Sequence, residues 1–237
     1  MCTLTYLPIN NNKFLVGSNR DEHIQRPSAT LPIIVNSGNM PILAPIDPQG
    51  KGSWFGYNIK LDKKACLLNG AFIKHEHTPP YSKSRGLIMI ESLSYKTLHN
   101  FSKVKDFENI EPFTLIHINN DSIEEIRWDE EKVYYESYSK NKPMVWSSSM
   151  LYDSSIKKNT QEHFNKKFNN KEKYEEEELL DFQINESYKE KTKGNTIASS
   201  SKISTVNTIL LNRSSNNLTV NFYDWQTQIN AKQVLNL

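Results

Sequence analysis

Cys2 stands directly behind Met1 and is one of two cysteines in the chain. Removal of Met1 would leave a thiol and a free α-amino group on the same residue. An α-amine titrates at about 7.7–8.0, far below a lysine, so it is a base within reach of neutral pH. That joins a nucleophile to a built-in base. The alternative is a small residue that opens a strand, the common fate of a free cysteine. Residues 18–22, SNRDE, add a guanidinium at Arg20 and a carboxylate at Asp21. A carboxylate beside the amine would hold and orient it, and an arginine nearby would favour the thiolate. The alternative here is a surface turn closed by an ion pair.

The elements that must position these groups lie in the first 23 residues. CTLTYL and KFLVGSN are β-rich, and PINNN between them is turn chemistry. A hairpin follows, and its second strand returns Asp21 to the end from which Cys2 starts. Adjacent strands lie about 4.8 Å apart, so Asp21 comes within reach of the Cys2 amine or thiol. If that strand runs on through Asp21, then Asn19 and Asp21 share a face, and Arg20 points to the other side unless a bend intervenes.

Farther along, five prolines between Pro27 and Pro48 predict loop, with one extended run at LPIIV. GKGSWFGYNIK and KKACLLNGAF read as a strand pair joined by LDKK. GLIMIESLSYKTLHNFSK has helical spacing at Leu87, Ile90, Leu93 and Leu98, which predicts one helix from Gly86 to about Lys103. Strands follow at FTLIHIN, SIEEIRW, KVYYESY and KPMVWSSS. Residues 153–190 read as two helices with anchors at Ile156, Phe164, Phe168, Leu179, Leu180 and Phe182. The run YEEEELL reads as a solvated helix face. KGNTIASSSKIS reads as a Ser-rich loop, and STVNTILL with NNLTVNFYDW as a closing hairpin. The order predicts an α+β fold with mostly antiparallel sheets and helices packed outside. No linker divides the chain, so one domain over residues 1–237 is expected.

MCTLTYL, VGSNRDEHIQRPS, GKGSWFGYN, ACLLNGAF, SRG and VNTILL together resemble the NRDE family, the transport and Golgi organisation protein 2-like proteins. That family is similar in turn to N-terminal nucleophile hydrolases of the choloylglycine hydrolase type. The resemblance implies a four-layer αββα sandwich. It implies Cys2 as nucleophile with its own amine as base, Asp21 beside the amine, and Asn69 as an oxyanion-hole donor. An amide NH2 suits that task because it donates without carrying charge. As a bare sequence feature, Asn69-Gly70 reads equally as a hairpin corner.

The chain departs from the hydrolase pattern at three positions. The arginine three residues before the aspartate is replaced by Ser18, leaving Arg20 next to Asp21. A second, mid-chain asparagine is replaced by Ser148. A C-terminal arginine is replaced by Thr205. Asn19, Trp54, Ser148 and Asn207 are the candidate substrate-binding residues. Trp54 reads alternatively as core packing.

His75 and His77 are two ligands with no Cys or Asp cluster to close a metal site, so they read as a polar loop after the Asn69 strand. No metal or cofactor is expected. Cys66 reads as a buried thiol. The net charge of +2 with 24% charged residues points to neither nucleic acid nor an acidic partner. The N-terminus lacks a signal-peptide pattern, no run approaches the ~18 apolar residues of a membrane span, and two cysteines make no disulfide framework. A cytoplasmic protein is expected, acting on a small molecule; nothing selects an oligomeric state. The favoured function is hydrolysis of a small amide or acyl compound by Cys2. The alternative is a non-catalytic NRDE-family binding protein for an apolar metabolite such as an acyl-CoA, a lipid or haem.

Overall fold

The N-terminal hairpin forms as its β-rich runs predict. In this computed structural model, which describes residues 3–10, 13–186 and 203–237, β1 (Thr3–Asn10) pairs antiparallel with β2 (Lys13–His23). Leu7 lies opposite Leu15, and Thr3 opposite Asn19. The chain divides into two compact units. One comprises Met1–Ser28, Lys140–Ser147 and Tyr152–Leu237; the other comprises Ala29–Ser139 and Ser148–Leu151.

The first unit is built on a six-stranded antiparallel sheet. The hairpin continues on one side into β10 (Met144–Ser147) and on the other into β11 (Ile203–Arg213), β12 (Asn217–Asp224) and β13 (Ile229–Asn236). One face carries Leu7, Leu15 and Leu210 in a single buried cluster with Phe164, Phe168, Leu179 and Phe182. These aromatic and leucine anchors come from α3 (Ser154–Phe168), α4 (Glu176–Asp181) and a π-helical turn at Phe182–Glu186. The two helices follow the predicted apolar spacing. Gly17 lets this layer approach closely, since a Cβ there would lie 2.4 Å from Gln183 Nε2.

Three expectations for this unit are modified by the structure. The Ser-rich loop falls outside the described residues up to position 202, but Ile203 and Ser204 already belong to β11. The closing hairpin has a third strand, β13. Its alternating exposure marks it as an edge strand, and Lys232 interrupts it with a charge, as edges commonly require. The acidic run also does more than face solvent, because Glu176 accepts from the side chains of Asn212 and Asn221.

The second unit is a seven-stranded antiparallel sheet in sequence order: β3 (Ile33–Ser37), β4 (Met40–Ala44), β5 (Phe55–Asn58), β6 (Lys63–Asn69), β7 (Phe113–Ile118), β8 (Ile123–Trp128) and β9 (Val133–Tyr138). β4 is a strand where the prolines predicted loop. Gly38, at φ +58°, turns the chain so that β4 folds back on β3.

The single helix expected over 86–103 is two, α1 (Arg85–Ser92) and α2 (Leu98–Val104). Thr97 is extended and its hydroxyl accepts from Asn100 N at 3.0 Å, while the Leu98 N–H turns to the Glu124 carboxylate at 3.0 Å. The apolar spacing crosses this break and hides it. We expect Thr97→Ala to cost about 1 kcal/mol, a fall in Tm of about 2–4 °C by thermal melt. The start of α1 also brings two sequence motifs together. A Cβ at Gly52 would lie 2.3 Å from the Gly86 carbonyl carbon, so GKGSW and SRG meet backbone to backbone.

Among the described residues, no helix is long and apolar enough to cross a membrane.

Candidate functional site

β2 continues through Asp21 without a bend, and its side chains alternate as expected. Asn19 donates from Nδ2 to the Gln183 carbonyl at 2.7 Å and accepts from Thr208 Oγ1 at 2.9 Å. Gln183 Nε2 reaches Thr5 Oγ1 at 2.7 Å, and Trp225 Nε1 donates to Thr208 Oγ1 at 3.0 Å. Thus Asn19 is one link in a buried polar chain between the sheet and the π-helical turn.

Asp21 follows two residues later and is 3% exposed. Its Oδ1 accepts from Thr205 Oγ1 at 2.5 Å, and its Oδ2 accepts from the Tyr152 hydroxyl. A buried carboxylate is tolerated when hydrogen bonds replace its hydration, and here each oxygen receives a hydroxyl. The Thr205 contact depends on a β-bulge. β11 pairs Thr205 with Asp21 and Asn207 with Arg20, so Val206 is an extra residue between them. Without that bulge, continued pairing would set Val206 against Asp21.

Arg20 lies on the opposite face with Asn207, and Nη1 donates to Asn207 Oδ1 at 3.2 Å. Arg20 is 2% exposed and Asn207 is fully buried. The Nδ2 of Asn207 is buried and has no hydrogen-bond partner among the described residues. Cys2 lies outside the described residues; Thr3, its neighbour in the chain, pairs with Asn19.

In the second unit, Asn69 ends β6. Its carbonyl accepts from Ser148 Oγ at 2.7 Å and from Met150 N at 3.3 Å. The next two carbonyls are held as well. Gly70 O accepts from Thr114 Oγ1 at 2.9 Å, and Ala71 O from Arg127 Nη1 at 3.0 Å and Ser149 Oγ at 3.2 Å. Gly70 sits at φ +82°, where other L residues are strained. The Asn69 side-chain amide is different: its Oδ1 is buried without a hydrogen-bond partner among the described residues. The backbone here is tied down while Oδ1 of the side chain is left without a partner among the described residues.

Trp54 is 1% exposed, and its carbonyl accepts from Leu67 N at 2.8 Å. Cys66 is a buried free thiol. His75 and His77 both meet Glu111 Oε1 at 3.2 Å, while Arg85 takes Oε2 at 2.9 Å, so the histidine loop is tied down. Among the described residues, no group of three or more His, Cys, Asp or Glu is arranged to hold a metal ion.

A second buried polar group underlies α1 and α2. Lys63 Nζ donates to Tyr95 O, and burial pushes the amine down to about 8 against the pull of Glu124. His117 contacts Ser92 Oγ at 2.8 Å, and burial, reinforced by Lys63, holds it well below the ordinary imidazole range.

Strand alternation drew attention to Asn19, Arg20 and Asp21, and Asn207 stood among the candidate substrate-binding residues. Tyr152, in the run SSSMLYDSS, and Thr208, in VNTILL, carry no sequence signal beyond a hydroxyl and were missed. The structure brings Asn19, Arg20, Asp21 and Asn207 together in the first unit, and Asn69 with Ser148 in the second. Fold and site define an α+β protein with two antiparallel sheets and a buried, hydroxyl-bound carboxylate next to its N-terminal strand. A family model described as Transport and Golgi organisation 2 matches residues 1–230, and the chain belongs to that family. No curated protein matches it.

Proposed function

We propose that this protein is an N-terminal-cysteine hydrolase of a small amide or acyl compound, acting in the cytoplasm as one domain over residues 1–237 with an N-terminal nucleophile-like αββα architecture. The observation that carries this reading is the buried Asp21 carboxylate on the strand that pairs with the start of the chain. We assign Arg20, the cation next to Asp21 in SNRDE, to the Cys2 thiolate. It lies two residues from Ser18, so it keeps the face of the arginine that family hydrolases carry there. Asn207 orients Arg20 and contributes a spare donor to the substrate.

The chemistry runs in two steps. The α-amine of a processed Cys2 takes the thiol proton, and the thiolate attacks the carbonyl carbon. The oxyanion is held by the Asn69 side-chain NH2, the donor that the family resemblance implies. Collapse expels the amine or other leaving group, which receives the proton from the α-ammonium. Water then cleaves the thioester, giving the acid and restoring the thiol. Asn19, Trp54 and Ser148 remain candidates for binding substrate.

One observation favours the binding-protein alternative. The Ser148 hydroxyl, standing where hydrolases carry Asn, is directed to Asn69 O. Two measurements decide between these readings. Intact mass spectrometry of protein from its native host is expected to show Met1 removed. Limiting iodoacetamide at neutral pH is expected to label Cys2 well before Cys66, which is buried. Full retention of Met1, or Cys66 reacting first, would leave only the binding reading.

A further inference from the structure

We infer that Tyr152 and Thr205 are positioning residues that hold the Asp21 carboxylate in the orientation that receives the α-amine of a processed Cys2, an inference that rests on the hydrolase reading above. A carboxylate offers about four acceptor sites over its two oxygens. Tyr152 takes one on Oδ2 and Thr205 one on Oδ1, so rotation of the carboxylate about its own axis is opposed from both sides. Both donors are neutral. They fix the carboxylate without cancelling its charge, which a lysine or second arginine in their place would do.

Each donor is itself anchored. Tyr152 is 3% exposed and directly precedes Asp153, whose side chain caps α3 by accepting from Ile156 N at 2.9 Å. Thr205 is set opposite Asp21 by the bulge in β11. Arg20 turns to Asn207 on the other face, Glu22 lies 3.6 Å from Arg26, and Asp153 serves its helix.

The test measures the α-amine pKa of Cys2 in the mature protein. Competitive acetylation across pH 5–10, read by mass spectrometry of the N-terminal peptide, supplies it. Asp21→Asn removes the opposite charge, and the amine pKa is expected to fall by about 1–3 units. Tyr152→Phe keeps the ring and the charge but frees one oxygen, and a fall of about one unit is expected. Thr205→Val is expected to shift it in the same direction, and Thr205→Ser to restore the wild-type value. Thr205→Val also serves if Tyr152→Phe does not fold. An amine that moves in Asp21→Asn but stays put or rises in both hydroxyl variants overturns the positioning role and leaves the hydrolase reading standing. An amine unmoved by Asp21→Asn, or a chain that retains Met1, overturns both.

Discussion

Asn69→Ala is expected to lower turnover by about 10²–10³-fold, a loss of about 2.7–4 kcal/mol in transition-state stabilisation. Stability should change little, because the contacts that shape this corner go to the backbone carbonyls and survive the substitution. The side-chain Oδ1 is buried without a partner, so truncation removes no side-chain hydrogen bond from that atom. A panel of N-acyl amino acids, acyl-CoA thioesters and penicillin-like amides supplies the assay, with thermal melts on the same protein. Asp21→Asn should likewise lose turnover, with a larger thermal cost because two hydroxyls lose their anionic acceptor. Turnover that survives both substitutions, or a Tm that falls while turnover persists, would sink the mechanism and leave Asn69 a turn residue.

Glu124→Ala should be the most damaging substitution for stability. The carboxylate is 3% exposed and accepts from Leu98 N at 3.0 Å, His99 N at 3.4 Å, Asn119 Nδ2 at 2.5 Å and the Tyr135 hydroxyl at 3.0 Å. Its charge also supports buried Lys63. Removing it strands the first donors of α2 and a buried ammonium together. The expected cost is about 3–5 kcal/mol, a fall in Tm of more than about 6 °C.

The same cluster sets a pH dependence. His117 is held neutral in the fold, whereas an unfolded histidine titrates near 6.5. The unfolded chain therefore binds more protons as pH drops, and stability falls below about pH 6.5. Lys63, at about 8 in the fold against 10.5 when free, holds its proton less tightly than the unfolded chain. Stability should rise as pH rises from about 8 to 10.5. Urea unfolding across pH 5–10 checks both limbs. Lys63→Met should flatten the alkaline one, and a slope that persists would show that another group carries it.

The N-terminal hairpin, the alternation through Asn19, Arg20 and Asp21, and the two helices after residue 153 were legible from the sequence because each rests on local spacing. Family membership was legible as well, since its motifs are short and contiguous. The break between α1 and α2 was not. Leu93 and Leu98 keep the apolar spacing, while the cap on the second helix comes partly from Glu124 on β8. β4 was missed because Pro41 lies within it and Pro45 directly follows it, and pairing with β3 and β5 outweighs their local preference. The hydroxyl clamp on Asp21 was beyond any sequence pattern. Tyr152 and Thr205 lie 131 and 184 residues from it along the chain, and a single bulged residue decides whether Thr205 or Val206 faces the carboxylate. Strand periodicity sets which way a side chain points, and the local sequence determines that much. Which groups meet across strands depends on register. Register is a property of the assembled sheet, so only the tertiary structure decided the surroundings of Asp21.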